Sequence, residues 1–79
     1  MWSNGVISSP SSGGKYSYWC KHYDEPSPVF GLQKGKISKC TIRKVGSNID
    51  LYHYDRGECT PCADLEVEVV LQILISKYN

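Results

Sequence analysis

The C-terminal segment, residues 61–79, constrains the fold most, because its apolar residues fit two different secondary structures. With a period of two, alternate positions from Leu65 to Ile75 form an unbroken apolar row, which is typical of a half-buried strand. With the period of a helix, one stripe instead collects Ala63, Val67, Val70, Leu71, Leu74 and Tyr78. Periodicity alone leaves both structures open.

Signals at the two ends of this segment favour the helix. Thr60 is of a type that caps helices, and Pro61 suits the first helical position. Three acidic residues then lie toward the positive end of the helix dipole, whereas Lys77 lies toward the negative end. We therefore predict a helix over residues 61–78.

The remainder of the chain reads as extended runs separated by turns and loops. The predicted strands are residues 2–7, 15–23, 37–45 and 49–54. They are joined by a flexible serine and glycine loop at 8–14, a long proline-containing loop at 24–35 and a hairpin connection at 46–48. The order predicts one α+β domain over residues 1–79, a four-stranded antiparallel sheet with one C-terminal helix packed on a face.

Alternation along the second predicted strand assigns its side chains to two faces of the sheet. One face carries Tyr16, Tyr18, Cys20 and His22. The other face carries Ser17, Trp19, Lys21 and Tyr23. The aromatic content fits a pleated surface better than a helix.

Composition places the chain among ordinary globular domains, with 41% hydrophobic and 11% aromatic residues. A chain of 79 residues buries only roughly 60–65% of its unfolded surface, so we expect a thin margin of stability. The N-terminus lacks the basic start and apolar run of an export signal, and Gln72 interrupts the longest apolar stretch. We expect a cytoplasmic protein with no membrane contact and reduced cysteines.

Several short motifs resemble those of one protein family. The motifs are Tyr23-Asp24-Glu25-Pro26-Ser27, Phe30-Gly31, Gly35-Lys36-Ile37-Ser38-Lys39 and Tyr54-Asp55-Arg56-Gly57. Over roughly residues 16–78 the chain resembles a family of small uncharacterised bacterial and phage proteins, a domain of unknown function. The resemblance implies this fold and no known activity, and it supplies no catalytic residue. Cys40 and Cys59 depart from the family pattern.

The four cysteines raise two chemical alternatives. Cys59-Thr60-Pro61-Cys62 has the spacing of a redox dithiol, although an ordinary pair of reduced thiols fits as well. A zinc site would draw on Cys20, Cys40, Cys59, Cys62, His22 and His53, but only one close pair is present. Because cysteine is often buried, Cys20 and Cys40 fit the core better. We predict no catalytic residue, no metal site and no cofactor.

The middle of the chain is basic, although the net charge is only +1. Residues 27–48 contain no acidic residue and carry Lys34, Lys36, Lys39, Arg43 and Lys44. With the tyrosines and Trp19 of nearby strands, this region could bind single-stranded nucleic acid by stacking and phosphate contacts. Alternatively, the aromatics build the core and the lysines protect a sheet edge.

The predicted helix carries a second apolar row besides the stripe that faces the sheet. This row consists of Leu65, Val69, Ile73 and Ile75. Because one sheet face cannot readily cover both rows, the second row is a candidate partner surface. We predict a non-enzymatic interaction module that forms a homodimer or binds a partner protein, with nucleic-acid binding as the alternative and no small-molecule substrate.

Overall fold

The computed structural model describes residues 1–10, 13–29 and 31–79, apart from the side chain of Lys34. The elements are β1 (Trp2–Ser8), β2 (Lys15–His22), β3 (Ile37–Lys44), β4 (Asp50–Asp55), β5 (Glu58–Thr60) and α1 (Leu65–Tyr78). A short 3-10 helix, Leu32–Lys34, lies in the connection between β2 and β3. The α+β class and the C-terminal helix are thereby confirmed.

The strands form one antiparallel sheet whose spatial order follows the sequence, from β1 at one edge to β5 at the other. Helix α1 packs on one face of this sheet. The alternation predicted for β2 is confirmed, because Tyr16, Tyr18 and Cys20 are buried on the helix side whereas Trp19 is exposed. The core joins these residues to others on the sheet and the helix: Ile37, Cys40, Ile42, Tyr52, Tyr54, Val67, Val70, Leu71 and Leu74.

The sheet of the described chain has five strands, so the predicted number of four is wrong. Strand β5 pairs with β4, with Tyr54 opposite Cys59. The hairpin turns at Arg56 and Gly57, whose φ angles are +48° and +102°. Positive φ at both turn residues matches the twist of an antiparallel hairpin, so the chain reverses and continues as a strand.

Helix α1 begins at Leu65, four residues later than the predicted start at Pro61. Its N-cap is Asp64 rather than Thr60, and an Asp64 carboxylate oxygen accepts a hydrogen bond of 3.0 Å from the Val67 backbone N–H. Thr60 cannot cap the helix because it pairs with His53 as the last residue of β5. The helical interpretation of the segment is nevertheless confirmed, and the strand alternative is wrong.

Parts of two predicted loops lie outside the described residues. Ser11 and Ser12 belong to the loop predicted as flexible at 8–14, and Phe30 belongs to the long loop at 24–35. The described part of the long loop includes the short 3-10 helix, and the Gly35 carbonyl accepts a hydrogen bond from the Ser27 backbone N–H.

Candidate interaction surface

An apolar line runs along the side of α1 that faces away from the sheet. Leu65, Val69 and Ile73 follow one another at intervals of four residues, so they lie in one row about 12 Å long. We call these three residues the outer strip. The side chain of Leu65 is 78% exposed and that of Val69 is 37% exposed.

The outer strip forms the floor of a shallow groove of about 740 Å³. Its remaining lining consists of Pro10, Glu68, Gln72 and Ser76. Pro10 comes from the loop between β1 and β2, so one wall belongs to a part of the chain far from the helix in sequence. The alternation of apolar floor and polar rim is the general pattern of protein contact surfaces.

The outer strip faces outward because the opposite side of α1 carries the residues that pack on the sheet. Val67, Val70 and Leu74 are fully buried against the sheet, and Leu71 is almost fully buried. A helix of this kind can present only one broad apolar stripe to a single sheet face. Apart from Pro10 at the groove wall, the described residues therefore leave the outer strip uncovered.

A tyrosine hydrogen bond fixes the N-terminal part of α1 to the sheet. The Tyr16 hydroxyl donates to the Glu66 carboxylate over 2.8 Å. This hydrogen bond, together with burial, raises the pKa of Tyr16. The phenol is thus protonated at neutral pH and available as the donor.

Three hydrogen bonds, made by Tyr78 and Asn79, fix the C-terminal end of the helix. The hydroxyls of Tyr18 and Tyr78 lie 2.7 Å apart, and burial together with this hydrogen bond raises the pKa of Tyr18 to about 12. The Asn79 side chain accepts a hydrogen bond from the Ile37 backbone N–H and donates one to the Leu32 carbonyl. With both ends held, α1 cannot rotate to bury its outer strip.

Three of the four residues predicted for partner binding line this groove, and the fourth does not. Ile75 is half-buried and packs against the core. The sequence did not indicate Pro10, because no local pattern reports that a loop residue will lie beside a distant helix.

The predicted basic surface is divided by the fold. β3 is the central strand, so its lysines do not protect a sheet edge. Lys39 and Arg43 project from the face opposite α1, where each lies near an aspartate, whereas Lys44 lies on the helix side. Lys36 precedes β3, and the side chain of Lys34 lies outside the described residues.

The aromatic residues predicted to stack on bases are mostly in the core. Four of the tyrosines, Tyr16, Tyr18, Tyr52 and Tyr54, are buried beneath α1. The prediction that bases stack on these side chains is therefore wrong. Trp19 is exposed on the other face and has Trp2 as a neighbour there. The only sequence signal for Trp2 is the alternation along β1, and which face of the sheet it points to depends on how β1 pairs with β2.

The cysteines divide into a buried pair and an outer pair. Cys20 and Cys40 lie opposite each other on β2 and β3, with their Sγ atoms 2.9 Å apart and no exposed surface. Cys59 is exposed, whereas burial and the nearby Glu68 raise the pKa of Cys62. Both outer cysteines precede α1, and the raised pKa of Cys62 is the opposite of what an activated thiolate requires.

The two histidines each contact a hydroxyl side chain. The His22 ring stacks on Tyr78, and its Nε2 is 3.0 Å from the Ser3 hydroxyl. The His53 Nδ1 is 3.0 Å from the Thr41 hydroxyl on the opposite face of the sheet. Within the described part of the chain, no three histidine, cysteine or acidic residues are grouped to hold a metal ion.

Together, the fold and the groove define a small α+β domain with a helix-covered antiparallel sheet and an uncovered apolar strip. The chain belongs to the family described as Domain of unknown function (DUF7678), whose profile matches residues 1–79. The predicted membership in a family of unknown function is confirmed, while the bacterial or phage origin stays a prediction. Comparisons with curated proteins and with solved structures gave no match. No helix in the described residues has the length and hydrophobicity to cross a membrane.

Proposed function

We propose that this protein is a non-enzymatic interaction module that associates with a second copy of itself through the outer strip. The observation that carries the proposal is the apolar row of exposed Leu65, exposed Val69 and half-buried Ile73 on a helix whose two ends are held in place. An aligned aliphatic row in a groove loses unfavourable contact with water when another surface covers it.

The symmetry of the outer strip favours a second copy as the occupant. A twofold axis across the strip at Val69, its middle residue, would pack two copies of α1 antiparallel, so that Leu65 of one copy lies opposite Ile73 of the other. Each apolar row then covers the same row of the second copy. The two helix dipoles then also oppose each other favourably.

The size of the outer strip indicates a weak dimer. A stable interface buries about 800 Å² per partner, which is about a sixth of the 4866 Å² that this chain exposes. Three aliphatic side chains and a polar rim provide only the centre of such an interface. We therefore expect a dimer that forms at millimolar and dissociates at micromolar protein concentration.

The first test replaces an apolar strip residue with a charged one. Val69→Glu places a carboxylate in the centre of the proposed interface, where it would have to lose its hydration. Light scattering or sedimentation should show the wild type rising from 8.9 kDa toward twice that mass with concentration, and the variant remaining at 8.9 kDa. Val45→Glu, the same exchange at an exposed position outside the groove, should behave as the wild type.

A wild type that stays at 8.9 kDa even at millimolar concentration would overturn the proposal. So would a dimer that Val69→Glu leaves intact.

A further inference from the structure

Both tryptophans of the chain lie on the face of the sheet that α1 leaves open. Trp2 on β1 is 58% exposed, and Trp19 on β2 is 39% exposed. Trp2 pairs with Lys21, two residues from Trp19, so the two indoles are diagonal neighbours on the same face. Diagonal neighbours in a sheet are within reach of one another, so the two rings form one aromatic surface.

The surroundings of Trp19 leave its ring accessible. Its cross-strand partners are Asn4 on β1 and Thr41 on β3, both small polar side chains. No large side chain at either partner position covers the indole. Exposed ring faces of this kind are where bases of single-stranded nucleic acids stack.

Each indole has a cation beside it. The Lys21 ammonium lies 5.9 Å from the centre of the Trp2 ring, and the Arg43 guanidinium lies 5.2 Å from that of Trp19. Both distances lie within the range of cation–π contact. When a base stacks on the indole ring, the neighbouring cation can contact the phosphate of the same nucleotide. Stacking and neutralisation of the phosphate charge then occur at one site.

Most cations of the open face lie beside an aspartate, and Lys21 is the exception among those near the tryptophans. Arg43 forms an ion pair with Asp50, and Lys39 lies 4.0 Å from Asp55. Lys21 makes no ion pair within the described residues and instead lies over the Trp2 ring. The face is only moderately cationic, which favours a ligand held chiefly by stacking over one held by charge alone.

We propose that the open sheet face binds single-stranded nucleic acid, with bases stacked on Trp2 and Trp19 and phosphates contacted by Lys21 and Arg43. A duplex does not fit this arrangement, because its bases are already stacked on one another and hide their faces. The thymine and uracil rings of DNA and RNA present the same flat face to an indole. The site lies on the opposite side of the sheet from α1, so it does not depend on the outer strip.

Intrinsic fluorescence provides a direct test, because the chain has only these two tryptophans and both lie on the proposed site. Titration with oligo(dT) and with oligo(rU) at low salt should quench the emission in a saturable way. Trp19→Ala should weaken binding about 5- to 150-fold, measured by anisotropy of a labelled oligonucleotide. The DNA and RNA arms show which strand is preferred. Ile49→Ala, an exposed position in the β3–β4 connection, should leave the affinity unchanged.

The salt dependence separates phosphate contacts from stacking. Lys21→Ala should reduce the slope of log K against log salt by about 0.7, the value for one phosphate contact to a single strand. Lys44→Ala, which removes a lysine from the helix side of β3, should leave that slope unchanged. Circular dichroism of each variant confirms that the fold is retained.

Three results would overturn this proposal. The first is the lack of any binding to either oligonucleotide at low salt. The second is binding whose affinity is the same in Trp2→Ala, Trp19→Ala and wild type. The third is a change of molecular mass in the tryptophan variants without a change of oligonucleotide affinity, because the open face would then be a protein contact.

Discussion

At the scale of single residues, most of the cysteine and tyrosine side chains are part of the core rather than exposed reactive groups. Cys20 and Cys40 were predicted to be core residues, and the structure confirms that prediction. Their mutual contact was not predictable, because it depends on the register between β2 and β3. That register shifts at Lys21 and His22, beside a long connection whose geometry no short motif reveals.

Thiol labelling tests this division of the cysteines. The hydrogen bond between Cys20 and Cys40, together with burial, raises the pKa of Cys40, and neither side chain has any exposed surface for a reagent to reach. We expect a disulfide reagent to modify Cys59 quickly and Cys62 more slowly in the native protein, and the buried pair only after unfolding. Cys59→Ser should remove the fast phase, and Cys62→Ser should leave it. Fast labelling of Cys20 or Cys40 in folded protein would contradict the structure.

At the scale of the elements, the sequence predicted whether each long segment is a helix or a strand, but it did not predict where α1 begins. Thr60 and Pro61 have the chemistry of a helix start, but tertiary pairing uses Thr60 in β5 instead. The turn between β4 and β5 makes this pairing possible, and its first residue, Arg56, has a positive φ. The Asp55-Arg56-Gly57 motif indicates a turn, but β5 has only three residues, too few for the alternating pattern by which a strand is recognised, so the fifth strand could not be recognised locally.

The helix start gives a prediction with a matched control. Asp64→Ala removes the acceptor of the Val67 backbone N–H and should lower the free energy of unfolding by about 0.5–2 kcal/mol. Thr60→Ala at the cap position expected from sequence should lower it by less than about 0.5 kcal/mol. Urea unfolding of both variants measures the difference. A larger loss for Thr60→Ala than for Asp64→Ala would show that the helix begins earlier.

At the scale of the whole molecule, the described residues leave two different surfaces uncovered, the outer side of α1 and the open face of the sheet. The second apolar row was visible in the sequence, and three of its four residues lie on the outside of α1. Ile75 could not be separated from them by pattern, because it belongs to the row under a period of two and to the core in the folded helix. The open sheet face was less visible, because it combines β1, β2 and β3 in a way that only strand pairing reveals.

Dilution followed by amide NMR spectra is the most direct measurement of the proposed self-association, because it maps the contact without altering a residue. From millimolar to micromolar concentration, we expect shifts confined to residues 65–76 and the loop around Pro10, with Trp19 and Thr41 unchanged. A spectrum that does not depend on concentration, or shifts centred on the open face of the sheet, would contradict the account.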